Sequence, residues 1–193
     1  MSKSEEPKYT VLQSYGDIEI RQYEPKIVAE TVVKAERGKA NNDAFGILAG
    51  YIFGQNISVT QPQKSEKIAM TAPVMQQAAS QAIAMTTPVT QTGDQNTNTW
   101  AVQFFMPSTY SMATLPKPKD DRINLKELPG SKVAAIHFSG NAGDKQLREQ
   151  EAKLRDFLSQ QRIEAKGAAT YAFYDSPFTL PMLKRNEVMV EIP

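Results

Sequence analysis

Residues 18–29 read IEIRQYEPKIVA, and residues 123–135 read INLKELPGSKVAA. Laid over one another with one inserted residue, the two stretches share a plan: an alternating run, a proline-containing turn, and a second run rich in small and β-branched residues. In the first stretch Ile18 and Ile20 oppose Asp17, Glu19 and Arg21, the period-two alternation of a strand with one face in a core. Glu24-Pro25 ends that run, because proline has no N–H to continue a ladder, and Ile27 to Val33 reads as a further strand. Such a unit written twice predicts a duplicated fold.

The flanking sequence extends the plan. Tyr9 to Gln13 alternates as well, with a turn at Gly16, so three strands in a meander are expected from Tyr9 to Val33. From Asn41 to Phe53 the spacing turns helical: Asn41, Asn42 and Asp43 are cap candidates, Phe45, Leu48, Ala49 and Ile52 fall on one face, and Gly54 ends the run. Trp100 to Met106 resumes strand character after a polar loop at Gln91 to Thr99. The second unit is followed by a helix from Asp144 to about Arg162, then by strands at Thr170 to Tyr174 and Glu187 to Ile192. The fold class read from this order is α+β: two βαβ-type halves, about 9–98 and 99–193, joined in a mainly antiparallel distorted β-barrel with two helices. Residues 1–8 read as a flexible tail.

A shorter repeat lies within the first half. I-A-M-T-x-P-V occurs at Ile68 to Val74 and again at Ile83 to Val89, separated by MQQAASQA. Period two predicts two adjacent strands with Met70 and Met85 in the core, the intervening residues forming a hairpin connection.

Composition narrows the function classes. Lys plus Arg number 22 against 21 Asp plus Glu, with no long block of one sign, so no nucleic-acid partner is expected. There is no cysteine, which excludes disulfides, thiolate catalysis and cysteine-ligated metals. The single histidine, His137, excludes three-histidine and H-E-x-x-H metal sites, and neither G-x-S-x-G nor a phosphate-binding glycine loop is present. His137 reads as a satisfied strand histidine ahead of an axial iron ligand. No stretch approaches a transmembrane helix in length, so no membrane span is expected. The chain is placed in the cytoplasm, with a periplasmic or secreted location as the alternative if a signal peptide has been removed.

The two helices differ in chemistry. The second pairs Leu147, Leu154, Phe157 and Leu158 with exposed Glu149/Lys153 and Glu151/Arg155, an ordinary amphipathic helix. The first carries no charge between Asp43 and Lys64 and is apolar nearly all round, which predicts cover on both sides. Gly46 and Gly50 leave a flat strip along it. Two readings stand: a helix buried between sheet and loop, or a helix whose outer face walls an apolar ligand pocket. Lys64 and Lys67 after the helix, with Lys184 and Arg185 late in the chain, either flank that wall as partners for ligand carboxylates or are solvated loop cations.

Several motifs in order resemble the SOUL family of haem-binding proteins: EKIAMTAPV at 66–74, F-x-x-L-x-x-Y-I-x-G-x-N at 45–56, FFMPSTY at 104–110, LPKPKDDRINL at 115–125, FSG at 138–140 and KRNEV at 184–188. The resemblance spans about Tyr9 to Ile192. It implies a distorted antiparallel barrel of two pseudo-symmetric halves, like bacterial effector-binding domains, that binds haem or related tetrapyrroles without catalysis, for buffering, transport or sensing. It also implies a pocket formed by Phe45, Leu48, Tyr51 and Ile52 of the first helix, Lys64 or Lys67, the loop from Tyr174 to Pro177, and Lys184 with Arg185. With no histidine near the first helix, the axial ligand is left unknown, Met or Tyr being the alternatives to His137. An effector module or enzyme acting on another hydrophobic compound, and a protein-interaction module, are the alternatives. A monomer is expected.

Overall fold

The computed structural model describes residues 4–79, 98–175 and 178–193. Among these, eleven strands and two α-helices follow in the order β1 (Tyr9–Tyr15), β2 (Ile18–Tyr23), β3 (Lys26–Lys34), α1 (Arg37–Ile52), β4 (Asn56–Ile57), β5 (Val74–Ala78), β6 (Thr99–Phe105), β7 (Lys117–Pro118), β8 (Asn124–Leu128), β9 (Ser131–Phe138), α2 (Asp144–Gln160), β10 (Lys166–Phe173) and β11 (Asn186–Ile192). Nine strands form one curled antiparallel sheet in the order β1-β2-β9-β11-β10-β5-β6-β3-β8, and β4 pairs with β7 apart from it.

The two strand–proline–strand units are β2–β3 and β8–β9, and they interlock: β2 pairs with β9, and β3 pairs with β8. The expected meander therefore stops after β1–β2. A two-residue hairpin loop needs positive φ at its first residue, and in type I′ at its second as well; Glu24 does not adopt positive φ, and Pro25 is locked near −65°. β2 and β3 consequently splay, and each finds its partner in the other unit. The turns pack together, since a Cβ on Gly130 would lie 2.8 Å from the Tyr23 carbonyl oxygen. From β2 to β8 the sheet order is unchanged when β2, β3, β5 and β6 are exchanged with β8, β9, β10 and β11.

One face of the sheet carries both helices. Period-two alternation sends Ala29, Val102, Phe104 and Met106 beneath α1, where Ala44, Leu48, Tyr51 and Ile52 join them in one cluster. It sends Ala134, Ile136, Val188, Val190 and Ile192 beneath α2, against Leu147, Leu154 and Leu158. α1 begins at Arg37, four residues before the expected asparagines, with Glu36 as its N-cap accepting from the Gly38 N–H at 3.3 Å. It ends at Ile52, and Gly54 adopts φ +126°, a backbone region open to glycine.

The first I-A-M-T copy is not a strand before Val74. Its hydrogen bonds go to loop partners instead: Ile68 N–H to the Ile52 carbonyl, Thr71 hydroxyl to the Phe105 carbonyl, and Ala72 N–H to the Glu5 carbonyl. Ile68 is buried, but Met70 is 42% exposed, contrary to its expected core place. Met75 to Ala78, expected as a turn, belongs to β5, a central strand between β10 and β6. The second copy, with Met85, lies outside the described residues, as does Pro177.

Candidate functional site

α1 packs chiefly on β3 and β6, and α2 on β9 and β11. β5 and β10, side by side at the middle of the sheet order, are thus the floor between the helices. Val74 pairs with Phe173 and Gln76 with Tyr171 across that floor. Arg37, the first residue of α1, crosses it: its Nε donates to Asp144 at the start of α2, its Nη1 to Gln76 Oε1 at 3.2 Å, and Gln76 Nε2 returns a bond to the Arg37 carbonyl at 2.9 Å.

The expected pocket wall divides in two. Leu48, Tyr51 and Ile52 are essentially inaccessible and face the sheet, and the Tyr51 hydroxyl donates to the Pro116 carbonyl at 2.8 Å. Burial accordingly pushes the Tyr51 phenol above its ordinary pKa. These three make core, as the inner side of any helix laid on a sheet must. Phe45 is 38% exposed, its ring 5.4 Å from that of Phe104, and so has a free edge toward solvent. Outer cover over α1 is therefore partial among the described residues: Asn42, Asp43, Phe45 and Gly46 are exposed. Of the glycine strip, Gly46 is open, while the Gln55 side chain lies over Gly50.

The basic residues separate as well. Lys64 and Lys67 are exposed after α1. Lys184 reaches Asn141 Oδ1 at 3.4 Å, in the connection that leads into α2 and whose Ala142 carbonyl accepts from Arg37. Arg185, one residue on, turns to the helix-free face, where its guanidinium lies 3.8 Å from the Tyr174 ring centroid and 3.1 Å from Glu6. Tyr174 donates to Glu187 there at 2.7 Å, and burial raises its phenol pKa. His137 is exposed beside Asp17 at 3.7 Å, on the same face of β9 as Ala135 and away from the interhelical floor.

The sequence reading named both ends of the loop after β10, Tyr174 to Pro177 and Lys184 with Arg185, but passed over its apolar middle. Phe178 (95% exposed), Leu180, Met182 and Leu183 all face solvent, and the Pro181 carbonyl ties the loop to Gly140 N at 2.9 Å. The signal was there: four large apolar residues within six positions, alternating at 178, 180 and 182 but punctuated by Pro181, which keeps the run out of a sheet ladder. A cleft of about 470 Å³ elsewhere, lined by Gln55, Lys119, Asp120 and Asp121, is polar and offers no wall to a flat apolar ligand.

Two helices on one face of a curled antiparallel sheet make an α+β half-barrel, and solved structures share this fold. The C-terminal domain of EcmrR superposes with a TM-score of 0.64 at 8% identity, covering 96% of this chain and 98% of that one. A hydrolase from Listeria innocua gives 0.59 at 9%, covering 92% of each. EcmrR in its complex with DNA gives 0.63 at 8%, covering 91% of this chain and 56% of that one. At these identities the likeness shows the fold alone. No curated protein matches the sequence. The family model described as SOUL heme-binding protein matches residues 4–191, and the chain belongs to that family. No described helix is long and apolar enough to cross a membrane.

Proposed function

We propose that the chain is a non-enzymatic tetrapyrrole-binding protein that takes haem or a related porphyrin at the mouth of the interhelical groove, serving haem buffering, transport or sensing. The observation that carries this reading is the exposed apolar loop Phe178–Leu183 beside Lys184, with the free edge of Phe45 on the α1 side. A macrocycle is flat and apolar with carboxylates on one edge. Phe45, Phe178, Leu180 and Met182 supply apolar contact, and Lys184 supplies a cation for the carboxylates; this donor set fits such a group. It offers no histidine to the iron, since His137 lies on the other face, so apolar burial supplies most of the affinity. Bound haem would bring its redox and gas-binding chemistry, and these side chains hold and orient it.

The test is titration of the chain with hemin and with protoporphyrin IX, followed by Soret absorbance and quenching of Trp100. Saturable binding with Kd below about 10 μM, roughly 7 kcal/mol, is expected. Phe178→Ser should weaken it about tenfold or more, because a buried Phe contributes about 1.5–3 kcal/mol. Lys184→Ala should weaken protoporphyrin IX but not its dimethyl ester. Absence of saturable binding for both ligands sinks the reading.

A further inference from the structure

The helix-free face carries a cluster that a sheet core does not need. Arg21 and Glu187 are both buried there and joined by two parallel bonds of 2.9 Å. Tyr9, Tyr23, Met75, Met189 and Tyr174 surround them. Across this face lies the N-terminal segment. Glu5 accepts from Ala72 N through its carbonyl and from Ser108 N through its carboxylate, both at 3.0 Å; Glu6 sets its carboxylate on Arg185 Nη1 at 3.1 and 3.2 Å, and Pro7 is buried. A cleft of about 260 Å³ remains open beside the segment, lined by Ser4, Glu6, Ala72, Tyr174, Asp175 and Arg185.

Two groups of the cleft lining, Arg185 and Tyr174, suit a carboxylate attached to a ring. Arg185 is fixed by stacking on Tyr174, so its guanidinium edge is presented in one direction, the geometry in which arginine reads carboxylates. Glu187, held by Arg21, also stands 3.5 Å from Arg185 Nη2, and the Asp175 carboxylate is turned to the Arg185 backbone N–H. The inner nitrogen of Arg185 thus belongs to Glu187, while the acid on its Nη1 edge, Glu6, is tethered in the chain and stands where an outside acid would bind. The Arg185–Glu6 pair is partly solvent-exposed, a class of ion pair that is easily exchanged.

We propose that this cleft is a second small-molecule site, for an aromatic carboxylate, and that Glu6 occupies the place of the ligand's carboxylate on Arg185. The ligand's ring lies beside Tyr174 and Ala72, which line the cleft, and the segment Ser4–Pro7 gives way as it enters.

Isothermal titration of the full chain with 2-naphthoate tests this. Glu6→Gln removes the competitor and should tighten binding about two- to fivefold; Arg185→Gln should weaken it tenfold or more. If Arg185→Gln fails to fold by its thermal melt, the comparison of Glu6→Gln with the parent chain decides, since that change keeps the side chain's volume and removes only its charge. No saturable binding to either chain, an unchanged affinity in Glu6→Gln, or full binding by a folded Arg185→Gln protein overturns the proposal. Saturating hemin should leave naphthoate affinity unchanged because the groove is on the other face; mutual exclusion overturns a separate site. A chain that binds no tetrapyrrole at all leaves this titration unaffected, so the two proposals fail independently.

Discussion

Replacing Glu187 with Gln should be among the most damaging single changes that keep side-chain volume. Arg21 is 3% and Glu187 1% exposed, and two bonds of 2.9 Å join them. Burial by itself would lower the Arg21 pKa and raise that of Glu187; their hydrogen bonds and mutual charge overcome it, leaving Arg21 above and Glu187 below the ordinary value. Breaking a buried pair from one side typically costs about 3–5 kcal/mol, since the remaining charge has no partner. Here Glu19 also accepts from Arg21 Nε at 2.7 Å, so the low end, about 3 kcal/mol, is expected. At a urea m-value of about 2–3 kcal/mol/M that shifts the midpoint down by about 1–1.5 M. The double variant Arg21→Met/Glu187→Met removes both charges and should recover most of the loss. Urea unfolding followed by circular dichroism, at pH 7 and then at falling pH, supplies the readout. A carboxylate with a depressed folded pKa stabilises above its unfolded value of 4.5 and loses that contribution as pH falls through the folded pKa, so the gap between parent and Glu187→Gln should close below pH 4.5. A loss under about 1 kcal/mol, or a double variant no better than the sum of its singles, refutes the reasoning.

Leu48→Ala should cost about 2–5 kcal/mol of stability yet leave tetrapyrrole affinity of the folded protein intact, whereas Phe45→Ser should do the reverse; chemical unfolding and Soret titration separate them. His137→Ala should leave the Soret band unmoved, and a shifted band would place the iron on the helix-free face. Lys26 lies over the Tyr23 ring at 4.6 Å, and burial holds its amine down to about 8, against 10.5 ordinarily. The folded state thus binds this proton more weakly than the unfolded chain. Its penalty is full below pH 8 and is relieved between 8 and 10.5, so Lys26→Met should gain about 1 kcal/mol at pH 7, after allowing for the lost ring contact, and nothing at pH 10.5.

The strands and helices of this fold are written in short-range periodicity, and most could be read from it: β2, β3, β6, β9 and β11 alternate, and α2 carries its apolar stripe. Partner choice was not legible in the same way. Nothing local to Ile18–Tyr23 says that its neighbour is β9 rather than β3; that depends on the geometry of a proline turn and on a unit a hundred positions away. β5 was missed because Met75-Gln-Gln-Ala78 lacks alternation, and it lacks it because Gln76 is needed under Arg37. The site divides similarly. Lys184 and Phe45 were legible as a cation near an apolar wall, but adjacent Lys184 and Arg185 point to opposite faces. Leu48, Tyr51 and Ile52 showed that α1 has a greasy side without showing that the sheet already fills it. Arg21 and Glu187, 166 positions apart, carried no sequence signal beyond alternation.

The interlocked units also govern how the molecule can be made. While the chain emerges from the ribosome, β2 and β3 wait with one flank open until β8 and β9 arrive, so the first half cannot close alone. Long-range pairing of this kind slows folding and keeps strand edges bare meanwhile. A nick in the 107–114 loop would therefore yield two pieces, each the missing mate of the other, able to reassemble only by meeting.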